Sequence, residues 1–260
     1  MQDLKITLIQ SELVWEDIDS NLTEFDNKIN VIEEDTHLIV LPEMFSTGFT
    51  MNAAVLAQDM NGSAVKWIKE KSAEKNVDMV GSIIADDGGN FFNRLLWAKP
   101  NGDIFTYDKK HLFRMAGEEK IYSAGTENIT VELNGWKIRP FICYDLRFPV
   151  WTRNIANRFD AAIFIANWPE RRSAHWKALL QARAIENQCY MIGVNRVGTD
   201  GNGLSYSGDS SIIDPWGSVI FQKSNQPCIY TTQLSYDLLK RCREDFPVWM
   251  DADNDLIPFK

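Results

Sequence analysis

The stretch Arg139-Pro140-Phe141-Ile142-Cys143-Tyr144-Asp145-Leu146-Arg147-Phe148-Pro149 changes character at its fifth residue. An apolar run that reads as a buried strand ends on a thiol, and a polar, sharply turning segment follows at once. Cys143 therefore stands at a strand end and looks out of the sheet, with the N–H of Tyr144 free to face whatever the sulfur meets. Alone, a free cysteine is more often a small buried hydrophobe. Two charged residues at comparable strand ends shift that balance. Glu43 follows the apolar Leu38-Ile39-Val40-Leu41-Pro42, where an acid must give up water, although most strand-end acids are simply solvated. In Phe105-Thr106-Tyr107-Asp108-Lys109-Lys110-His111-Leu112-Phe113, alternation puts Tyr107, Lys109 and His111 on one face and Asp108 and Lys110 on the other. Spacing alone does not choose between the two lysines.

The surrounding pattern alternates strands and helices. Leu4, Ile6 and Leu8 alternate with polar residues, and Ile18, Leu22, Phe25, Ile29 and Ile32 then recur at helical spacing. Strands are expected at 77–84, 91–99 and 103–113, the last two joined by the Asn101-Gly102 hairpin signal. The second half repeats the scheme, with strands at 129–133, 137–143 and 160–167 and a helix at 149–158. A helix at 173–188 and a strand at 189–197 follow, then strands flanking Asp214-Pro215-Trp216-Gly217 and a helix at 235–245. Two sheets packed face to face with helices outside, a four-layer α-β-β-α sandwich of the α/β class, would satisfy this order. No linker interrupts it, so residues 1–260 read as one domain, with a tail at 247–260 that is peripheral.

Composition narrows the function. With 27 Lys and Arg against 36 Asp and Glu, the net charge of −9 repels phosphate backbones and anionic lipid, which argues against nucleic-acid and membrane partners and leaves small metabolites. No apolar stretch approaches the ~20 residues of a membrane span, and the amino terminus has no basic region leading into an apolar one. The four cysteines and three histidines show no ligand spacing, so neither a metal nor another cofactor is expected. Free thiols fit a reducing compartment, and the expected location is cytoplasmic.

Leu41-Pro42-Glu43, Tyr107-Asp108-Lys109-Lys110-His111-Leu112-Phe113 and Cys143-Tyr144-Asp145-Leu146-Arg147-Phe148 together resemble, in order, the three catalytic blocks of the nitrilase superfamily of carbon–nitrogen hydrolases. The resemblance runs from Ile6 to about Phe246. It selects Lys109 over Lys110 and Glu118, in the loop ending at Gly125, over Glu119 as a fourth catalytic residue. His111 to Ala116, Phe148 to Trp151 and Ala166-Asn167-Trp168-Pro169 look most like the bacterial omega-amidase branch, which cleaves the terminal amide of short 2-oxo acid amides. The resemblance implies the same sandwich, a small amide substrate and at least a homodimer formed through the 173–188 region.

On this reading Cys143 is the nucleophile and Glu43 the proton shuttle, while Lys109 and the Tyr144 N–H hold the oxyanion and Glu118 holds Lys109 or orients the amide. Lys109 is expected to lower the pKa of the thiol. Asn167 and Trp168, ending the strand after the nucleophile, are candidate substrate contacts, with core filling as the alternative for Trp168. Phe45 is a candidate apolar wall. Arg172, beside Arg171, is the candidate carboxylate ligand, against a role as a surface ion partner. His175 is assigned to ordering the site from behind. Other readings are an amidase acting on another small amide, a carbamoyl compound or a nitrile; a thiol hydrolase with His111 or His175 as base; and a non-catalytic binding or scaffold protein.

Overall fold

The fold is that of a computed structural model whose described residues are 2–253; the end of the expected tail, 254–260, lies outside them. In chain order the regular elements are β1 (Leu4–Gln10), α1 (Ile18–Asn30), β2 (Leu38–Val40), α2 (Ala53–Leu56), α3 (Ser63–Lys75), β3 (Asp78–Asp87), β4 (Asn90–Ala98) and β5 (Ile104–Asp108). The second half supplies β6 (Val131–Leu133), β7 (Trp136–Ile142), β8 (Ala161–Ala166), α4 (Ser173–Asn187), β9 (Tyr190–Asn195), β10 (Val197–Thr199), β11 (Ser205–Ile213), β12 (Val219–Ser224), β13 (Cys228–Leu234) and α5 (Tyr236–Asp245).

One sheet runs β13-β1-β2-β3-β4-β5, and the other β10-β11-β9-β8-β7-β6 with β12 against β11. Their facing sides share one core. On the central strands the alternation of a half-exposed sheet gives way to continuous apolar runs, and Leu38 and Val40 of the first sheet and Phe141, Ile163 and Phe164 of the second are all buried there. A second cluster lies outside the first sheet, where Phe25 and Ile29 of α1 and Val65, Trp67 and Ile68 of α3 cover Ile39, Met79 and Ile83. On the opposite side Trp176, Leu180 and Ala184 of α4 and Leu239 of α5 cover the second sheet. The chain is thus an α-β-β-α sandwich.

Local chemistry explains where the elements start. Asp17 caps α1, its Oδ1 accepting from Ser20 N at 3.0 Å, and Ser235 caps α5 through Leu238 N at 3.3 Å. The β4–β5 hairpin turns at Gly102, whose φ of +90° suits glycine. Two expectations are corrected. The strand expected to reach Phe113 ends at Asp108, and the chain then leaves the sheet through a short 3-10 turn at Arg114–Ala116. The helix expected at 149–158 is absent, because the Asn154 side chain captures the backbone, donating to Phe159 O at 2.8 Å and accepting from Phe159 N at 3.1 Å. Only a 3-10 turn at Ile155–Asn157 remains, with Ala156 at φ +50°.

β1-β2-β3 and β7-β8-β9 are parallel runs, so the segments after β2, β7 and β8 leave from carboxyl ends of strands, where α/β sheets place their ligands. The fit of α4 on β9 is close: a Cβ added to Gly193 would lie 2.5 Å from Leu180 Cδ1 and 2.9 Å from Trp176 Cζ2. Gly193→Ala should therefore lower stability by about 1–3 kcal/mol. Urea unfolding checks this; an unchanged midpoint would mean that α4 has slack against the sheet.

Candidate active site

The chain turns abruptly after each of the strand ends that carry chemistry. Met44, next to Glu43, has φ +44°, and Cys143 itself has φ +43°, a left-handed conformation that is costly for a residue with a Cβ. Cys143 opens a 3-10 turn, Cys143–Arg147, so the N–H of Tyr144 is among the first-turn donors without an intrahelical partner. Asp145, fully buried, fixes this elbow. Its Oδ2 accepts from Ile142 N at 3.1 Å and the Tyr107 hydroxyl at 2.7 Å, and its Oδ1 accepts from His111 N at 3.0 Å. One carboxylate thereby sets the β5 exit against the β7 exit, and so Lys109 against Cys143.

Lys109 is buried between two buried acids. Its Nζ donates to Glu43 Oε1 at 3.0 Å and to Glu118 Oε1 and Oε2 at 2.9 and 3.0 Å. Glu43 Oε1 also accepts from Asn93 Nδ2 at 2.8 Å, and Oε2 from Asn167 N at 2.7 Å; Glu118 Oε2 accepts from Phe113 N. The Phe49 ring lies 5.0 Å from the ammonium. Burial works against the cation, but Glu118 and then Glu43 outweigh it, and the Lys109 ammonium is held above its ordinary value. Burial pushes the Glu118 carboxyl up, with Lys109 opposing. Lys109 lowers the Cys143 pKa as expected but is outweighed: burial, and next the Glu43 carboxylate, raise the thiol well above its ordinary 9.0. Both effects favour the neutral thiol over the thiolate in the resting site.

Cys143, half-buried, lines a cavity of about 550 Å3 together with buried Asn167 and Trp168, while exposed Asn52, Met115 and Asn202 stand at its rim. Trp168 belongs to wall and core at once, its ring 5.4 Å from Trp176 and its Nε1 donating to Arg172 O at 2.8 Å. Phe45 is not a wall of this cavity. The turn at Met44 sends it through the sheet into the α1–α3 cluster, 5.8 Å from Phe25 and 5.5 Å from Trp67, and Phe49 lines the cavity instead. Arg172 does line it, its guanidinium 5.1 Å from the Phe113 ring. Sequence reasoning missed Arg147, which also lines the cavity 4.5 Å over Trp168 and donates to His175 Nδ1 at 3.2 Å, so His175 supports an arginine and not the thiol. Its only available signal was a cation four places past the cysteine. Among the described residues, Arg147, Arg171 and Arg172 have no carboxylate partner. Burial and then Arg171 depress the Arg172 pKa. His111 is committed elsewhere: its Nδ1 lies 2.8 Å from Asp145 Oδ1 and its ring stacks on Phe148 at 3.8 Å.

The carbon–nitrogen hydrolase family model matches residues 5–244. The chain belongs to that family. It is 48% identical to the omega-amidase YafV of Escherichia coli (strain K12) over 97% of this chain and 98% of the relative. It is 34% identical to the 2-oxoglutaramate amidase of Bacillus subtilis (strain 168), over 96% and 98%. A CN-hydrolase superfamily protein from Xanthomonas campestris, whose crystal structure carries an arsenic adduct in the active site, superposes with a TM-score of 0.95 at 42% identity, covering 97% of this chain and 98% of that one. This family member is a hydrolase of carbon–nitrogen bonds. Among its described residues, no helix is long and apolar enough to cross a membrane.

The raised thiol has a direct consequence. Iodoacetamide labelling of Cys143 should still accelerate above about pH 10, where a thiol of ordinary pKa has nearly levelled off, and Glu43→Gln should speed labelling at pH 8 by removing a carboxylate that opposes the thiolate. Peptide-mapped labelling rates decide this; a plateau at or below neutral pH would mean that Lys109 dominates.

Proposed function

We propose that this protein is an omega-amidase that hydrolyses short amides bearing a carboxylate at the far end, of the 2-oxoglutaramate or 2-oxosuccinamate type. The observation that carries the reading is the convergence of Arg147, Arg171 and Arg172, none with a carboxylate partner among the described residues, on the cavity lined by Cys143. On a chain of net charge −9, three cations left without acids beside a nucleophile fit an anionic substrate. The similarity to proteins named omega-amidase and 2-oxoglutaramate amidase supports the same choice.

In the proposed mechanism the Cys143 thiol gives its proton to Glu43 as the sulfur attacks the amide carbon, so a thiol that is neutral at rest becomes a thiolate only along the reaction path. Lys109 Nζ and the Tyr144 N–H receive the developing oxyanion, and Glu118 keeps the ammonium aimed. Collapse of the tetrahedral intermediate breaks the C–N bond, and the nitrogen leaves as ammonia with the proton returned from Glu43. Glu43 then takes a proton from water, whose oxygen attacks the thioester carbon. The C–S bond breaks, Glu43 returns that proton to the departing sulfur, and the carboxylic acid and the Cys143 thiol are released.

We also propose one domain over residues 1–260, a cytoplasmic location consistent with four free cysteines, and a homodimer. Exposed Ile185 on α4 packs near Gly217, beside Trp216 and Phe246, whose rings stack at 6.4 Å; this apolar face supports the dimer.

Glu43→Gln, Lys109→Ala and Cys143→Ala should each abolish turnover, with double variants no worse, while Lys110→Ala remains active. Steady-state ammonia release is the assay; an active Lys109→Ala variant would overturn these roles. Arg172→Ala should lower kcat/KM for 2-oxoglutaramate by about 10- to 100-fold, the worth of one charge-assisted pair, and spare a neutral aliphatic amide. Equal losses on both substrates would remove Arg172 as the carboxylate ligand, and a wild type that prefers the neutral amide would remove the omega-amidase reading.

A further inference from the structure

The segment that brings Trp168, Arg171 and Arg172 to the cavity is bonded largely to itself. Arg172 N donates to Pro169 O at 2.9 Å, and Arg172 O accepts from Trp168 Nε1 at 2.8 Å. Among the described residues, its hydrogen bonds to the second sheet lie at its two ends. At one end Asn195, the last residue of β9, accepts from Trp168 N through Oδ1 at 2.8 Å and donates to Trp168 O through Nδ2 at 3.0 Å. At the other end Ser173, which follows Arg172 and opens α4, donates from Oγ to Asp209 Oδ2 at 2.8 Å.

Asp209 lies where the pairing of β11 with β12 shifts register, between Gly208 and Ser210, and its backbone is left-handed at φ +59°. Its carboxylate is buried, and both oxygens are engaged. Oδ1 accepts from Ser224 Oγ at 2.5 Å, with Lys177 Nζ 3.0 Å away, and Oδ2 accepts from Ser207 Oγ at 2.5 Å as well as from Ser173. Burial opposes the charge, but Ser207, then Ser224, Ser173 and Lys177 outweigh it, and the carboxyl is held below its ordinary value. The Asp209 main-chain oxygen accepts from Trp176 Nε1 at 3.0 Å, and the Trp176 ring meets Trp168 at 5.4 Å. One residue of β11 thus grips Ser173, Trp176 and Lys177 at the start of α4. Arg172 stands immediately before that start, and its side chain makes no capping bond to the helix.

We infer that Asp209 is a positioning residue for the far carboxylate of the substrate, anchoring the Arg172 end of the 168–173 segment as Asn195 anchors the Trp168 end. The inference rests on the reading of the substrate as a carboxylated amide and adds to it a residue outside the cavity lining. Asp209 acts through Arg172. A guanidinium on a segment held at one end only must be ordered when the anion binds, and that ordering weakens binding. Bond cleavage depends on other anchors: Asp145 sets Lys109 against Cys143, and Glu43 is held by Lys109, Asn93 and Asn167. Loosening the Asp209 end therefore weakens capture of the carboxylate and leaves the chemical steps in place.

The test measures kcat and KM for succinamate and butyramide, which differ in a carboxylate against a methyl group, in the wild type, Ser173→Ala and Asp209→Asn. Ser173→Ala removes the donor while placing a good helix former in α4. Asp209→Asn keeps a residue that tolerates the left-handed backbone and turns a charge-assisted bond into a neutral one. KM for succinamate is expected to rise about tenfold in Ser173→Ala and about threefold in Asp209→Asn, with kcat for succinamate and kcat/KM for butyramide within about twofold of the wild type. A merely structural role, in which the bond only stabilises the sandwich, would lower kcat/KM on both amides by the same factor. That result overturns the inference, as does an unchanged KM for succinamate in Ser173→Ala. A wild type that does not favour succinamate over butyramide refutes the carboxylate reading and the inference with it, while a preference that persists undiminished in Ser173→Ala refutes only the part assigned to Asp209.

Discussion

Two carboxylates and one ammonium, Glu43, Glu118 and Lys109, are closed off from water and held to one another at 2.9–3.0 Å. Charges buried in this way are expensive unless each is paired and hydrogen-bonded. The surrounding polar groups therefore serve the cluster: Asn93 and the Asn167 N–H on Glu43, and the Phe113 N–H on Glu118. Burial first, and Glu43 second, hold the adjoining Cys143 thiol well above its ordinary value, with Lys109 opposing them.

The two sheets make the cluster possible. Glu43 leaves the first sheet after β2, Lys109 leaves it after β5, and Cys143 and Asn167 leave the second sheet after β7 and β8. No one element carries the site, so its geometry depends on how the sheets pack and on Asp145, which bonds to the exits of both β5 and β7. The left-handed turn at Cys143 is tolerated because Asp145 and the strand below over-determine it. Further out, the cavity around the thiol is lined by the guanidinium-bearing Arg147, Arg171 and Arg172.

The sandwich and the positions of Glu43, Lys109, Glu118 and Cys143 were legible because they lie at places where an apolar period breaks against a reactive or charged residue, and because the three blocks occur in register. Trp168 and Arg172 at the cavity followed from their distance past β8. Phe45 did not, because its direction depends on the positive φ of Met44, which neither composition nor alternation reveals. The helix expected at 149–158 failed for a similar reason, as a side-chain bond from Asn154 outcompetes the helical ladder. Arg147 was hidden because a guanidinium close to a cysteine in sequence has no marker distinguishing it from a surface charge; only its place in the cavity, without a carboxylate partner among the described residues, sets it apart. Lys109 lowers the Cys143 pKa as its place in the sequence suggests, but the larger opposing effects of burial and of Glu43 depend on the packed structure and were not legible.

The central claim is that this cluster turns a resting thiol into a nucleophile only as substrate carbon is attacked, so the reaction must pass through an acyl group on Cys143. Acid-quenched mass spectrometry during turnover of a slow omega-amide tests it most directly. The account requires a transient mass increase equal to the acyl group, confined after proteolysis to the peptide containing Cys143. An acyl group carried by Cys189, Cys228 or Cys242, or ammonia release with no acylated protein under conditions that preserve thioesters, would contradict it.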